Sequence, residues 1–545
     1  RRNLMMLEPL RVNKRKAPVV KQKAIPFPVG GWDAASPLAS MPEDRAVQLK
    51  NWFPYAAYGE VRKGFRYHAW DIVDDDTAIE TLMAWRGPSS SKMFAAGGGA
   101  IYDVTSNAAA TSAVTSLSAN RWHTVNMTTA AGAFLWICNG TDSCRHYNGT
   151  TWATPSLTGV TSSDIINVNV HKKRLWFVIK DSTTAYYLGT DAIAGSATAF
   201  ALGANFTRGG YLMAMATWTR DGGSGSDDYA VFISSEGQCA VYQGTDPASA
   251  DTWSLVGVFD VPPPIGRRCF AKYGGDIALI TIQGVFQLSK LLAVDQSQAT
   301  GVALSENISA AVNAAAASYK ANFGWEVAVY PKGTRLILNI PTIESVTAVQ
   351  YVMNTLTGAW CEFEGMNANC WLVYNDNLYF GGNDGCVYRA DTGSADIDTP
   401  VTAVGQCAYG AMGAGNVKHW KMVKPLLTTA GSSRPAIGVS TDFQETENLF
   451  QPSVSTATGG ATWDSSRWDS ATWGGADQQV SDWVGVVGIG TFGSIKFRAQ
   501  TGVSSGGSAW GVSLWGSDLW GSQGTSDQTM RINGFLVMAE VGGNL

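Results

Sequence analysis

The amino-acid sequence predicts an all-β protein: a β-propeller of six or seven irregular blades with an additional C-terminal β domain. Three observations predict this fold. Short apolar runs separated by Gly, Asn, Asp and Ser fill the chain, and long amphipathic helical patterns are nearly absent. A hairpin pattern recurs at intervals of about 40 to 60 residues through the middle of the chain. After about residue 400 that spacing is lost, and a region rich in Gly, Ser, Thr and Trp follows.

The chain begins with a basic segment. Residues 1–25 hold eight Lys or Arg and one acid, a net charge of +7, so the rest of the 545-residue chain, whose total is −5, has −12. A basic arm on an acidic body favours docking on an acidic partner, and a solvated terminus is the alternative. We assign residues 1–30 to this arm, with Arg11, Lys14, Arg15 and Lys16 as candidate partner-binding residues. The segment lacks the apolar core of a signal peptide, so we expect neither a signal peptide nor a membrane anchor.

The hairpin pattern supports the propeller. Each copy has an apolar strand, a turn and a second strand that carries an aromatic residue, and is too small to bury its own faces. The copy "LYFGGNDGCVYRADTG" resembles the blade repeat of quinoprotein-like propellers, which bears on fold alone. The copies share a pattern of strands and turns but not their residues, so the sequence does not decide between six and seven blades. The seven copies begin at Lys92, Phe134, Leu175, Ala230, Ile277, Leu336 and Leu378.

We assign residues 31–400 to the propeller with an N-terminal docking segment, and residues 401–545 to a separate Trp-rich β domain. Residues 56–69 are expected to lend a strand that closes the ring. One helix is expected within residues 305–324, where alanines dominate.

Two tryptophan triplets mark the C-terminal region, "WDSSRWDSATW" and "WGVSLWGSDLW". A period of five residues fits neither a helix nor a strand. We therefore predict short extended pieces joined by tight turns, with most indoles buried as structural clusters. Six exposed platforms for sugars are the alternative. The six residues are Trp463, Trp468, Trp473, Trp510, Trp515 and Trp520.

Motifs of known chemistry are absent from the sequence. The five histidines form no HExxH, and there is neither a GxSxG nor a phosphate-binding loop. "YNGTTW" approaches a sialidase Asp box once, with Tyr147 at the position of the acid. We predict no catalytic residue, no metal and no cofactor, and regard a glycosidase that uses carboxylates from distant blades as the least favoured alternative.

The eight cysteines show no zinc-ligand spacing. Cys138 and Cys144 could face each other across a hairpin. Reduced, buried thiols are favoured over disulfides for a chain with no recognised secretion signal.

One segment resembles a known family. Residues 28–69, "PVGGWDAASPLASMPEDRAVQLKNWFPYAAYGEVRKGFRYHA", resemble the N-terminal segment of tail-associated structural proteins of tailed bacteriophages. "WDSSRWDSATWGG" and the closing "RINGFLVMAE" also look like that group. The residues that carry the resemblance are Gly31, Trp32, Pro37, Leu38, Met41, Pro42, Asn51, Trp52, Phe53, Pro54, Arg62, Lys63 and Gly64.

The resemblance implies a virion protein of a short tail, similar to the tail nozzle. Such a subunit would form a homohexameric ring that conducts DNA during ejection without sequence-specific binding. Its implied partners are further copies of itself, an adaptor or head-to-tail connector protein, and tail fibres or spikes. Assembly would take place in the host cytoplasm. Trp52 and Phe53 add a bulky apolar anchor, which we include among the candidate partner-binding residues. A carbohydrate- or receptor-binding propeller of the tail is the alternative.

Overall fold

The computed structural model describes residues 19–74, 76–106, 110–221, 226–411, 415–429, 433–451, 478–502 and 529–541. Over these residues, strands account for nearly all regular structure, with two short α-helices and four 3₁₀ helices. The all-β prediction is therefore confirmed.

From Val19 onwards six strands precede the first blade, and only the last of them belongs to the propeller. They are β1 (Val19–Pro26), β2 (Gly31–Trp32), β3 (Arg45–Lys50), β4 (Trp52–Pro54), β5 (Gly59–Val61) and β6 (Phe65–Ala69).

The first four blades are antiparallel sheets of four strands each. Blade 1 has β7 (Thr81–Arg86), β8 (Ser91–Gly97), β9 (Ala100–Asp103) and β10 (Thr111–Val114), and blade 2 has β11 (His123–Thr129), β12 (Gly132–Cys138), β13 (Arg145–Tyr147) and β14 (Trp152–Ala153). A short parallel pair, β15 (Leu157–Thr158) and β19 (Gly195–Ser196), lies beside blade 3, which has β16 (Ile165–His171), β17 (Arg174–Ile179), β18 (Thr184–Tyr187) and β20 (Thr198–Ala201). Blade 4 has β21 (Leu212–Asp221), β22 (Ser226–Ser234), β23 (Gln238–Gly244) and β24 (Trp253–Asp260), and 3₁₀ helices cover Ser162–Asp164 and Gly203–Asn205.

Three more blades complete the series. Blade 5 has β25 (Phe270–Tyr273), β26 (Asp276–Thr281) and β27 (Gly284–Gln287), and is followed by α1 (Leu288–Leu291), 3₁₀ helices Gln296–Val302 and Glu306–Ile308, and α2 (Ser309–Tyr319). Blade 6 has β28 (Glu326–Tyr330), β29 (Arg335–Ile343), β30 (Thr347–Asn354) and β31 (Trp360–Phe363). Blade 7 has β32 (Cys370–Tyr374), β33 (Asn377–Gly381) and β34 (Val387–Ala390), together with β6. The helix α2 confirms the helical prediction for this stretch.

The blades form a closed ring. Each innermost strand contacts the next blade, and β32 of blade 7 contacts β7 of blade 1. Seven buried apolar clusters fill the seven spaces between neighbouring blades. Each of the seven sequence copies falls on the second strand of its blade. The propeller therefore has seven blades, the higher of the two numbers that the sequence left open.

The strand β6 closes the ring. It pairs with β34 in antiparallel register, with Phe65 opposite Ala390 and Ala69 opposite Val387. An N-terminal strand thus completes a blade whose other strands lie about 300 residues later in the chain. The predicted closure by residues 56–69 is confirmed, and the strand that performs it is Phe65–Ala69.

Among the described residues, eight strands follow the propeller and pack with the N-terminal strands as a β-sandwich. They are β35 (Ala395–Asp396), β36 (Thr399–Cys407), β37 (Lys418–Thr429), β38 (Ala436–Thr441), β39 (Gln478–Val480), β40 (Val484–Gly490), β41 (Gly493–Thr501) and β42 (Met530–Val541). In one sheet β37 pairs with β39, β40 and β42, and β42 pairs in turn with β1 and β5. In the other sheet β36 lies between β3 and β41, and β41 also pairs with β38.

This arrangement corrects two predicted domain boundaries. Residues 401–545 do not stand alone, because β1 pairs along its whole length with β42, with Val20 opposite Glu540 and Ile25 opposite Phe535. Residues 1–30 are not an arm throughout, because β1 is a strand of this sandwich. Residues 31–61 likewise belong to the sandwich, so the propeller occupies the chain from Phe65 to Ala390. The propeller is inserted between the two halves of the sandwich.

Candidate functional site

Three of the residues that carry the family resemblance, Asn51, Arg62 and Gly64, meet at the contact between the sandwich and blades 6 and 7. We call this contact the junction and define it by Asn51, Arg62, Gly64, Glu364 and Asp396. A single apolar core runs through it, from Phe27, Trp52 and Phe535 of the sandwich to the inner faces of blades 6 and 7.

Arg62 is the central polar residue of the junction. Its side chain is 2% exposed and forms a bidentate pair with Asp396, Nη1 to Oδ1 at 2.8 Å and Nη2 to Oδ2 at 2.6 Å. Its Nη2 also donates to the carbonyl of Glu364 at 2.5 Å, and its Nε donates to Oδ1 of Asn51 at 2.8 Å. A planar guanidinium can serve all of these acceptors at once, which an ammonium group cannot. Arg62 therefore joins the sandwich, blade 6 and the segment that follows blade 7.

Asn51 adds a second set of contacts. Its backbone has φ of 55°, a conformation that Asn adopts more readily than most residues. Its Oδ1 accepts hydrogen bonds from Arg62 and from the backbone N–H of Glu364, and its Nδ2 donates to the carbonyl of Thr402 at 2.8 Å. The side chain thus connects β3 and β4 with blade 6 and β36.

Two glycines of the same segment lie where no side chain fits. Gly31 has φ of +82°, and a Cβ there would lie 2.6 Å from the backbone N and O of Trp360. A Cβ on Gly64 would lie 1.8 Å from the carbonyl oxygen of Ala395. Close backbone approach therefore requires glycine at both positions.

The structure corrects the expectation for Trp52 and Phe53. They are 0% and 1% exposed, so their side chains are core residues and are not accessible to a partner. The Trp52 ring packs against Phe27 and Phe497, with centroids 6.0 and 5.4 Å apart. Phe53 packs against Tyr55 at 4.9 Å and beneath the guanidinium of Arg335 at 4.8 Å.

An acidic pair shares one lysine beside the junction. Lys50 bonds Glu364 and lies 3.7 Å from Glu362. Burial raises the pKa of Glu362 to about 7, and Lys50 opposes this shift while Glu364 reinforces it. This cluster joins β3 to the outermost strand of blade 6, where Lys50 is paired with Glu362.

The propeller axis is closed at one end by side chains. Arg268, which precedes blade 5, donates to the carbonyl of Glu80 and the hydroxyl of Thr81 in blade 1, at 3.0 and 2.8 Å. It also lies 3.4 Å from Glu326 of blade 6, whose pKa burial raises and Arg268 lowers. Arg121 bonds Glu80 and Glu344 nearby, and both guanidiniums lie over the ring of Phe323. A cavity of about 170 Å³ remains at this end.

Two histidines lie on inner strands, His171 buried and His123 half-buried. Burial lowers the pKa of His123 and of His171 to about 4, so both rings are neutral at pH 7. The N–H of Val168 donates to Nδ1 of His123, and Nδ1 of His171 lies 3.2 Å from the hydroxyl of Thr217. Each ring thus bonds the next blade, which is a structural use.

The remaining sequence predictions have separate outcomes. All eight cysteines, Cys138 and Cys144 among them, are free and buried, as predicted. Within the described part of the chain, no group of three His, Cys, Asp or Glu could hold a metal, and no helix is long and apolar enough to span a membrane. Arg11, Lys14, Arg15, Lys16 and all six tryptophans of the triplets lie outside the described residues.

The sequence did not reveal three polar clusters that the fold brings together. Asp396 lies 334 residues from Arg62, and Glu326 and Asp391 lie 58 and 56 residues from their arginine partners Arg268 and Arg335. The isolated arginines beside apolar runs were the only visible signal, because the partners are supplied by other blades.

Comparisons with known proteins add little. No family model matches the chain, and no curated protein matches it. Among solved structures, a crystal structure of BBS1N in complex with ARL6DN has 14% identity and a TM-score of 0.28, covering 42% of this chain and 73% of that one. The computationally designed Ika8 protein has 10% identity and a TM-score of 0.33 over 63% and 96%. YCF48 bound to D1 peptide has 11% identity and a TM-score of 0.33 over 65% and 99%. These likenesses are too weak to bear on function, and the ring of seven sheets itself defines the fold.

Proposed function

We propose that this chain is a structural virion protein that forms the ring-shaped nozzle of a phage tail and conducts DNA during ejection. The proposal rests on the structural role of the segment that resembles tail proteins. Its Asn-Trp-Phe-Pro and Arg-Lys-Gly residues hold the sandwich rigidly on blades 6 and 7 through Asn51, Trp52 and Arg62. A fixed shape, rather than a reactive group, is what such a segment would supply to a tail subunit.

The side chains at one end of the propeller axis bear on the route that we propose for DNA. Arg268, Arg121 and Phe323 occupy the end of the propeller axis. A duplex would therefore travel through a channel enclosed by several copies, and not through the propeller of one copy. The −12 charge outside residues 1–25 would repel phosphates and limit binding to the channel.

The decisive test is the oligomeric state and its shape. The purified full-length chain, of 58.0 kDa, is examined by light scattering after size exclusion and by negative-stain electron microscopy. We expect six copies in a ring with an axial hole, and labelled antibody bound at the tail of the virion. A monomer at every concentration and ionic strength, or a position in the capsid, would contradict the proposal.

The basic arm supplies a second test. Deleting residues 1–18 leaves β1 intact, because that strand begins at Val19. We expect slower, more salt-sensitive assembly with the adaptor, since charged rims mainly affect association rates. The control replaces the same residues with an uncharged Gly/Ser segment of equal length. Equal assembly of the deletion and the parent at all salt concentrations would remove the arm from the interface.

A specific surface favours the alternative, a carbohydrate- or receptor-binding propeller. Trp70 and Tyr67 are 43% and 47% exposed on the outside of blade 7 and line a cleft of about 590 Å³ with Asp71 and Asp384. Flat apolar rings beside carboxylate acceptors suit a sugar ring. Glycan binding by the parent chain that is lost in Trp70→Ala, with thermal stability unchanged, would support this alternative.

A further inference from the structure

A cleft lies where the sandwich meets the hairpin of blade 6. It has a volume of about 320 Å³, at the lower end of the range for small-ligand sites. Side chains of β4 and β5 and the segment before β6 form one side, and the turn between β28 and β29 forms the other. The residues that the argument uses are Tyr55, Lys63, Lys332, Thr334, Arg335 and Asp391.

Arg335 is a buried cation with unused hydrogen-bonding capacity. It is 7% exposed, and its guanidinium lies over the Phe53 ring. One terminal nitrogen pairs with Asp391 at 2.7 Å, whereas Nε has no hydrogen-bond partner. Because Nε is itself inaccessible, the donors of this guanidinium that a ligand in the cleft can reach are those of its terminal nitrogens.

The charge balance of the cleft is positive. Its two acids are already paired, Glu60 with Arg531 and Asp391 with Arg335, and Arg62 is paired with Asp396. Lys63 and Lys332 are exposed at the cleft and form no ion pair with any described residue. Two uncompensated positive charges therefore remain among the residues that line the cleft.

We propose that this cleft binds a phosphate group. A phosphate dianion matches the two uncompensated lysine charges, whereas a carboxylate would match one. Lysine ammoniums and a preoriented guanidinium are the usual cationic ligands of phosphate oxygens, and the hydroxyls of Thr334 and Tyr55 at the same cleft are further donors. A small phosphorylated compound and a phosphate of the DNA backbone share this chemistry.

The first experiment titrates inorganic phosphate into the full-length protein at low ionic strength, followed by calorimetry. We expect saturable binding of one phosphate per chain, and at least a tenfold weaker affinity in the double variant Lys63→Ala/Lys332→Ala. Both lysines are exposed, so this variant keeps the thermal stability of the parent. The matched control is Lys272→Ala/Lys320→Ala, which removes two exposed lysines remote from the cleft and leaves phosphate affinity unchanged.

Acetate and a short DNA duplex are then tested as competitors. Acetate is expected to compete at least tenfold more weakly than phosphate. If DNA displaces bound phosphate, and if DNA binding depends less on salt in Lys63→Ala/Lys332→Ala than in the parent, the site binds a phosphate of the DNA backbone. Failure of DNA to displace phosphate assigns the site to a small phosphorylated compound. Absence of saturable phosphate binding, equal affinity in the cleft variant, or equal loss in the control variant would each overturn the proposal. Ring formation is independent of these outcomes.

Discussion

Arg62 and Asp396 lie 334 residues apart in the chain and form a bidentate ion pair, with both oxygens of the carboxylate within 2.8 Å of the guanidinium nitrogens. Arg62 immediately follows β5 of the sandwich and Asp396 ends β35, which lies beside β6 of blade 7. The pair therefore determines how the sandwich sits on the propeller.

Replacing Arg62 is expected to destabilise the junction. Arg62→Ala leaves Asp396 and the carbonyl of Glu364 without their buried partner, a loss of roughly 3–5 kcal/mol for a buried pair. Arg62→Lys is expected to recover only part of this, because an ammonium cannot bond Asn51, Glu364 and Asp396 together. Thermal unfolding measures the effect.

The control for Arg62 is a surface ion pair. Lys92 and Asp103 are 39% and 27% exposed, so Lys92→Ala is expected to cost less than about 1 kcal/mol. Equal shifts in melting temperature for Arg62→Ala and Lys92→Ala would show that the junction pair contributes no more than a surface pair.

Gly31 and Gly266 separate steric contact from backbone strain. Both have positive φ, +82° and +68°, but a Cβ at Gly31 would meet Trp360 at 2.6 Å whereas one at Gly266 meets nothing within 4 Å. Gly266→Ala is expected to cost about 1–2 kcal/mol, for the left-handed backbone alone. Gly31→Ala is expected to cost clearly more and to lower the soluble yield. Equal melting temperatures for the two variants would contradict the close approach of β2 to β31.

Glu362 is expected to make stability depend on pH. Burial raises its pKa in the folded state from 4.5 to about 7. The protonated side chain therefore contributes to the free energy of unfolding below pH 4.5, and this contribution is lost as pH rises through 7. Glu362→Gln cannot titrate, so the difference in melting temperature between variant and parent should change in favour of the variant from pH 4.5 to 7.5. Glu236→Gln, at an exposed hairpin turn, is the control. A difference that stays constant with pH for Glu362→Gln would contradict this assignment.

Arg268 and Glu326 are expected to be coupled at the closed end of the propeller. Arg268→Ala leaves Glu326, whose side chain is 21% exposed, without its counter-charge, at a cost of roughly 1–3 kcal/mol near pH 7. Because burial raises the pKa of Glu326, the loss should grow as pH rises above 4.5 and shrink towards acid pH. In the parent, burial and the charge of Arg268 lower the pKa of His123 to about 4, so the variant His123→Gln is the background in which this pH dependence is measured.

The double variant Arg268→Ala/Glu326→Gln tests that coupling. It removes the unpaired charge, so it is expected to be more stable than Arg268→Ala at pH 8 and to show no such pH dependence. Additive losses in the double variant would mean that the two residues act independently.

Local sequence patterns predicted the propeller, but they did not predict the strand pairings between distant parts of the chain. Each hairpin copy, such as the one beginning at Leu378, is a short-range signal whose strands pair with their neighbours in the chain. The sandwich depends instead on pairings such as Ile25 with Phe535, for which the sequence offers no local cue. The size of Trp52 predicted that its side chain is buried. The sequence did not indicate whether it is buried by its own chain or by a partner, because its contact Phe497 lies far along the chain.

Burial of the two tryptophan triplets as a structural cluster remains a prediction. The described residues next to them make it more specific. The segments that hold them, residues 452–477 and 503–528, lie outside the described residues, and each is followed by a strand of the same sheet. Gln478 and Met530, which open β39 and β42, both pair with Thr429, one on each side. Strands in a sheet are about 4.8 Å apart, so Gln478 and Met530 lie roughly 10 Å from each other.

The short distance between Gln478 and Met530 supports the hypothesis that the triplets pack together. Trp468→Ala is then expected to lower the free energy of unfolding by roughly 3–5 kcal/mol, as for a large buried aromatic. Trp515→Ala in the other triplet should do the same, and the double variant should lose less than the sum, because partners in one cluster share the loss. Trp70→Ala, at an exposed indole, is the control and should leave the melting temperature nearly unchanged. A melting temperature of Trp468→Ala equal to that of the parent, together with lost glycan binding, would replace the structural role with a sugar platform.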